Sequence, residues 1–318
     1  MKKKLIAAFL ILLILAIIAF MLNDLFFSDI SQDNPYKLDT DSLKKVDTNL
    51  VCYKEIDQIR FDSEELHGIA IDKNDNIIIV GGKLVVYYQK NKNLQFFDLP
   101  QAGNCVTVSS GNEIFIGFDN RIEVRTMQGK IIRKWGTGNR ESVLTGIAVN
   151  GSSVFAADVS ERVVHQYDFN GKFINNIGLK DSLKGVPAIV VRSPFFDVTI
   201  GRDEEIWIVN PGMYLLEAFD KKGNMKSSWG KSSDACDGFC GCCNPTNIVL
   251  LSDGSFVTSE KAIPRVKIFS QTGVFKCLVA GPNQFDEGTK GLDLAVDSKN
   301  KIYVLDPVRK QIRIFEKK

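Results

Sequence analysis

HGIAIDKNDNIIIVG, residues 67–81, is a short apolar run, a polar turn and a second apolar run. Alternation with a period of two and enrichment in β-branched residues argue strand, and Asp72-Lys73-Asn74-Asp75 has the composition of a tight turn. The same form returns five times. The first strands read HGIAID (67–72), NCVTVS (104–109), TGIAVN (145–150), FDVTIG (196–201), TNIVLL (246–251) and LDLAVD (292–297), with starts 37, 41, 51, 50 and 46 residues apart. Second strands begin at Asn76, Glu113, Ser153, Glu205, Ser255 and Lys301. Third strands such as RIEVRT, RVVHQYD and RVKIFS follow. Gly-centred turns come next (Asn170-Gly171, Thr272-Gly273), then fourth strands that end near Trp135-Gly136 and Trp229-Gly230. A period of about 40–50 residues with four strands per unit is the signature of a propeller blade. An open four-stranded sheet cannot cover both of its faces, so the blades must stack in a ring.

The sixth unit ends at Lys318 after three strands. VCYKEIDQIRF, residues 51–61, is strand-like and lies just before the first blade, so it is predicted to supply the missing outer strand and close the ring. Closure removes free sheet edges. The expected fold is all-β: one six-bladed β-propeller of four-stranded antiparallel blades over 51–318, closed by the N-terminal strand and preceded by one transmembrane helix.

The units GIAIDKNDNIIIV, GIAVNGSSVFAAD and LAVDSKNKIYVLD resemble NHL repeats, and the resemblance covers nearly all of 51–318. It implies the propeller fold. It does not choose an activity, because propellers of this type include protein-binding modules, RNA-binding modules and a few lyases. The lyases rely on a histidine-held metal, and this chain has two histidines. Lactonase-like six-bladed propellers hold calcium with Glu, Asn and Asp. Asp197, Asn247 and Asp293 echo that set without matching its motif residue by residue. The stretch CGCCNPTN…TSEKAIPRVKIF also resembles a group of bacterial propellers.

Lys2-Lys3-Lys4 precedes LIAAFLILLILAIIAFML, residues 5–22. A run of this length suits the ~20 residues of a spanning helix. A cleaved signal usually has a shorter apolar region and a small-x-small site, which this run lacks. Residues 1–27 are therefore predicted to be an anchor or uncleaved signal, and 28–50 a polar tether. The positive-inside rule keeps the lysines cytoplasmic, which makes the protein single-pass in the cell membrane with the propeller extracytoplasmic. Forty basic residues against 38 acidic give a net charge of +2. A phosphate-backbone binder usually shows a clear basic excess, so nucleic acid is not an expected partner.

Blade topology puts the starts of first strands, the ends of second strands and the blade-to-blade connections on one face, the entry face. Asp197, Asn247 and Asp293 fall at one level of the inner ring, with His67 one step outward. Asp158, Asn210, Glu260 and Asp306 end second strands on the same side. Converging polar groups at a channel mouth are a ligand-site pattern. Asp and Asn at such turns also bond nearby backbone amides. Oxygen ligands here would suit calcium. Glu260, Lys261 and Arg265 read either as a solvated charged turn or as a basic lip for an anionic or peptide ligand. His165 is expected to face solvent.

CDGFCGCCNP, residues 236–245, joins blade four to blade five on the entry face and holds Cys236, Cys240, Cys242 and Cys243. Three readings stay open. Thiols outside the cytoplasm oxidise, which favours disulfides within the loop. Four thiolates could hold a metal or an iron–sulfur cluster, either of them less favoured than calcium at the channel mouth. The third is a reactive thiol pair. Adjacent Cys242 and Cys243 are expected to diverge. Cys277 is expected to pack as a small apolar residue, and Cys105 either to pack or to face the cluster across the channel. The leading functional expectation is a ligand- or protein-binding module that takes an envelope protein, peptide or small molecule. The alternative is a metal-dependent or thiol-redox enzyme or electron-transfer accessory protein.

Overall fold

The structure, a computed structural model, describes residues 2–27, 44–61, 65–88, 94–183, 185–286 and 288–318. Residues 41–318 form one compact unit and 1–40 another.

Six four-stranded antiparallel sheets make up the larger unit. Their inner strands are Gly68–Ile71, Cys105–Val108, Leu144–Val149, Val198–Ile200, Asn247–Leu250 and Asp293–Val296. Each inner strand adjoins the next, and the sixth adjoins the first, so the ring is closed. The closing strand is Tyr53–Arg60. It pairs with Gln311–Lys317 from Tyr53↔Lys317 to Arg60↔Gln311 and completes blade six.

Second strands such as Ile77–Gly81, Ser153–Asp158 and Ile206–Asn210 are buried along their whole length, because both faces of each blade meet a neighbour. The core is therefore a set of apolar layers between blades, as where Phe155 and Val164 of blade three pack with Trp207 and Phe219 of blade four. The Gly-centred turns have a specific role in this stacking. A Cβ on Gly171, at φ +92°, would lie 2.4 Å from the Trp135 ring of the preceding blade. One on Gly273, at φ +80°, would lie 2.7 Å from Trp229. Glycine is needed there for the left-handed backbone and for the aromatic ring that rests against it.

Cys277 differs from expectation. It is disulfide-bonded to Cys52, 225 residues away, and the bond ties the segment before the closing strand to the outer strand of blade five. The Cys52 N–H donates to the Leu278 carbonyl at 3.1 Å, which holds the two strands side by side.

A helix forms where the N-terminal apolar run predicts one, over Lys2–Phe27. Its described side chains are those of 9–22, and all are exposed. Among the described residues no helix is long and apolar enough to cross a membrane, so the expected span is not established by the structure. Of the predicted tether, 28–43 lies outside the described residues, and 48–50 forms a 3-10 turn, Thr48–Leu50.

Candidate functional site: the channel mouth and its cysteine loop

The predicted inner-ring residues come together, and most of them stitch blades to one another. Asp197 accepts the Val198 N–H at 2.8 Å and the Ile248 N–H of blade five at 2.9 Å. Asp293 accepts Leu294 N–H at 2.9 Å and Ile69 N–H of blade one at 2.8 Å. Asn247 donates its amide to Asp293 at 3.2 Å. His67 Nδ1 lies 2.7 Å from the Gly103 carbonyl of blade two, which fixes the proton on Nδ1. Thr145 donates to the Phe196 carbonyl at 2.6 Å. Burial, then the charge of nearby Asp293, pushes Asp197 up from the usual carboxylate range, and burial pushes Asp293 up as well. Two half-buried carboxylates so close resist ionising together.

Calcium fits these residues poorly. It takes six to eight oxygen ligands. Here each carboxylate oxygen already accepts an amide, and Asn247 presents its donor side to Asp293. The axial cavity below, about 260 Å³, is lined mainly by inner-strand aliphatics. Cys105 lines it with its sulfur packed against Gly117 and Leu144, and among the described contacts it meets none of the loop cysteines.

Above the ring a second cavity of about 380 Å³ opens at the entry face. All six blades contribute to it. Its apolar wall is Leu66, Pro194, Phe195 and Phe196, and its polar groups include His67, Asn104, Asp119, Thr145, Asn247 and Lys290. Asn104 donates to Asp119 at 3.0 Å. His67 is a quarter exposed, and Nε2 faces Glu65 at 3.3 Å. Phe195 leans on Gly291 across the mouth. Sequence reasoning missed Phe195 and Lys290. The available signal was the insertion before blade four, the longest interval in the repeat, which ends in SPFF just before an inner strand.

The cysteine loop is built into the wall between blades four and five. Phe239 is fully buried, stacked on Trp229 at 6.4 Å and packed on Phe269 at 5.4 Å. Glu260 accepts the Cys240 N–H at 3.0 Å and the Arg265 guanidinium at 2.7 Å. Arg265 also donates to the Asp234 carbonyl at 3.0 Å. Lys267, fully buried, is paired with Glu260, donates to the Gly238 carbonyl and lies 4.8 Å from the Phe239 ring centre. Glu260 and Arg265 therefore do not form a lip. They are buried and mutually neutralised, and they hold the loop from beneath. Lys261 is half-buried, and its backbone pairs with the buried Asn244 side chain.

Cys236, Cys240, Cys242 and Cys243 are free thiols. The expected loop disulfides are absent from this structure, and none of the four lines the mouth cavity. Cys240 donates to Asp234 at 3.2 Å. Cys242 and Cys243 do not diverge, since their sulfurs are 3.1 Å apart. Neighbouring side chains diverge along an extended strand. Cys243 has φ +64°, a left-handed turn that brings the two thiols to one side.

The ends of the second strands share one arrangement. Asp158, Asn210, Glu260 and Asp306 are buried and hold chain segments in place of lining the mouth. Asp158 accepts the Val143 N–H at 3.3 Å, Asn210 accepts Val190 N–H at 2.9 Å, and Glu260 accepts Cys240 N–H. Three of them face a polar partner seven residues on, whereas Asp306 accepts the Arg309 N–H of its own turn at 3.1 Å. His165 lies 3.2 Å from Asp158, Asn210 donates to Glu217 at 3.1 Å, and Lys267 pairs with Glu260. Arg313 reaches the Gln284 carbonyl of the last connection at 2.6 Å. His165 is thus buried, contrary to expectation. Its ring nitrogens, Asp158 and Glu161 form the one metal-compatible group found among the described residues. The equivalent positions in other blades are linker clamps, which accounts for Asp158 and His165 without a metal.

No family model matches the chain, and no curated protein matches it. Among solved structures it is similar to virginiamycin B lyase from Staphylococcus aureus, with a TM-score of 0.59 and 14% identity over 83% of this chain and 99% of that one. A streptogramin B lyase aligns with a TM-score of 0.61 and 11% identity over 84% and 98%. A protein of unknown function from Bacteroides thetaiotaomicron aligns with a TM-score of 0.59 and 12% identity over 83% and 75%. At these identities the likeness is one of fold.

Proposed function

We propose that the protein is a binding propeller, held at the outer face of a membrane by its N-terminal helix, that takes an anionic, partly aromatic small molecule or peptide end at the entry-face mouth. The observation that carries this reading is the mouth cavity, where an aromatic wall at Phe195 stands beside His67 and Lys290. Few well-placed polar groups in a concave apolar site are what small ligands need. The metal-dependent enzyme alternative gains less support. The two histidines sit apart, His67 at the mouth and His165 buried between strands of blade three, and Glu260 and Arg265 are committed to each other.

Two features support the tether. Phe9 through Leu22 present exposed apolar side chains along the helix. The Cys52–Cys277 disulfide suits an oxidising compartment. Extraction of membranes at alkaline pH, with protease added to intact cells, tests this part. Release by alkali, or full protection of the propeller, would contradict it.

Saturation-transfer NMR of the full chain with phenylpropionate as probe tests the mouth. Saturable transfer should be lost in Phe195→Ala and weakened in Lys290→Ala, with unfolding midpoints unchanged. Transfer that is absent in the parent protein, or unmoved by both substitutions, refutes the reading.

A further inference from the structure

We propose that Cys242 and Cys243 form a dithiol–disulfide centre that exchanges two electrons with a disulfide-bearing small thiol or protein at the entry face. This does not rest on ligand binding at the mouth.

The two sulfurs are 3.1 Å apart, and the left-handed turn at Cys243 keeps them on one side. Cys242 is exposed and Cys243 is buried. An external disulfide can therefore reach only the first sulfur, and the second is already beside it. The frame is rigid. Asn244, fully buried, donates to the Cys240 carbonyl at 2.5 Å and to the Lys261 carbonyl at 3.1 Å, and it accepts from Lys261 N–H at 2.9 Å. Cys240 in turn is held through its N–H by Glu260. On its other side, the Arg192 backbone lies beside Cys243. The remaining loop thiols are occupied differently: Cys240 points to Asp234, and Cys236 lies near Arg265. Cys52 and Cys277 are already bonded to each other.

The chemistry balances as follows. Cys242, as thiolate, attacks one sulfur of R–S–S–R′. A Cys242–S–S–R bond forms, R′–S⁻ leaves and takes up the proton that Cys242 lost. Cys243 then attacks the Cys242 sulfur, its proton passes to the departing R–S⁻, and the vicinal disulfide is complete. Two protein thiols are oxidised and one partner disulfide is reduced to two thiols. The reverse sequence reduces the protein. Attack by a neighbouring thiol on a mixed disulfide depends on access and placement, both of which this pair has.

The test equilibrates the full chain, purified in detergent, in mixtures of reduced and oxidised glutathione. Free thiols are blocked with N-ethylmaleimide, and the tryptic peptide 232–261 is sequenced by mass spectrometry. The expected result is a reversible loss of two hydrogens, with label on Cys236 and Cys240 and none on Cys242 and Cys243. Cys242→Ser should abolish the loss. Cys243→Ser should trap glutathione on Cys242, an adduct that a purely structural role for the pair would not produce. Because Cys242 is exposed, its serine variant does not depend on repacking. A disulfide from Cys236 to any loop cysteine overturns the proposal. So does the absence of any two-hydrogen loss across the redox range, or stoichiometric metal retained on the four thiols.

Discussion

Replacing Glu260 by glutamine removes the anion from beneath the cysteine loop while keeping its shape. Lys267 is then left fully buried with no carboxylate partner. Burial is the main influence on Lys267 and already lowers its affinity for a proton, and Glu260 is the main opposing influence. Without Glu260 the lysine can shed its proton. Starting from an unfolded pKa of about 10.4, neutralisation at pH 7 costs 1.36 kcal/mol for each of about 3.4 units, or about 4.6 kcal/mol. This is a ceiling, because the Gly238 carbonyl and the Phe239 and Phe269 rings still favour the ammonium. Arg265 keeps the Asp234 carbonyl but loses its own anion. Breaking buried pairs in this way costs about 3–5 kcal/mol. At ~2–4 °C per kcal/mol, the thermal midpoint should fall by about 6–20 °C. The sign with pH follows. A lysine whose folded pKa is depressed destabilises fully below that pKa and ceases to do so above its unfolded pKa. The penalty should therefore shrink toward about 2 kcal/mol at pH 9. Circular dichroism of the parent and Glu260→Gln proteins at pH 7 and 9 measures both quantities. A loss below about 1 kcal/mol at pH 7, or one that does not shrink at pH 9, refutes the clamp.

Asp158 is opposed by burial, but hydrogen bonds from His165 and Ser142 outweigh it and hold the carboxyl at about 2. Burial would lower His165, and its bonds to Asp158 and Asn176 raise it instead. Asp158→Asn should lower the His165 titration midpoint measured by NMR, and an unmoved midpoint counts against the pairing. The stability that protonated His165 contributes is present below pH 6.5 and is lost as pH rises through its folded pKa. Glu217 is raised by burial with only Asn210 to offset it. Glu217→Gln should change stability by no more than about 1 kcal/mol and should remove a fall in stability as pH rises from about 4.5, both readable in urea melts. Cys52→Ser with Cys277→Ser opens a closed loop of 225 residues. The chain-entropy model puts the loss near 5 kcal/mol, and a loss under about 1 kcal/mol in guanidinium unfolding would show that the pairing of Tyr53–Arg60 with the last strand does the work alone.

The architecture was legible because its determinants are local. Strand alternation and Gly or Asn turns recur within each blade, and the sixth blade's missing strand has an obvious donor in 51–61. The Cys52–Cys277 pair was not legible, since nothing local links cysteines that far apart. Glu123, Glu217, Lys267 and Arg313 occupy the position of His165 in other blades, a composition that predicts a solvent face. In a lone sheet that composition marks an open face, whereas here a neighbouring blade or connection covers it. The Asp158/His165, Asn210/Glu217, Glu260/Lys267 and Asp306/Arg313 spacing was in the sequence all along. Its chemistry is complementary in every pair, and the structure joins the first three, while Arg313 pairs with Glu55 of the closing strand instead. Asp197 and Asp293 bond backbone amides, as Asp at such turns can, but which amides they take is not legible, because amide partners carry no side-chain signature.

These clamps bear on where function can evolve in the ring. A connection between blades must cross the entry face, and its backbone amides need partners once buried. Asn210 meets that need for 188–190 and Glu260 for 240, so the rest of each connection is free to vary. Each of these two blades uses that freedom differently. The connection before blade four carries Phe195 into the mouth. The one before blade five turns at Gly241 and places Cys242 in solvent, with Asn244 as its fastening. If the clamp is what keeps the thiols together, Glu260→Gln should weaken vicinal disulfide formation as well as the fold. Glutathione equilibration of that variant, well below its unfolding midpoint, should need a more oxidising mixture to reach half-conversion. An unchanged midpoint would mean that Asn244 alone holds the pair.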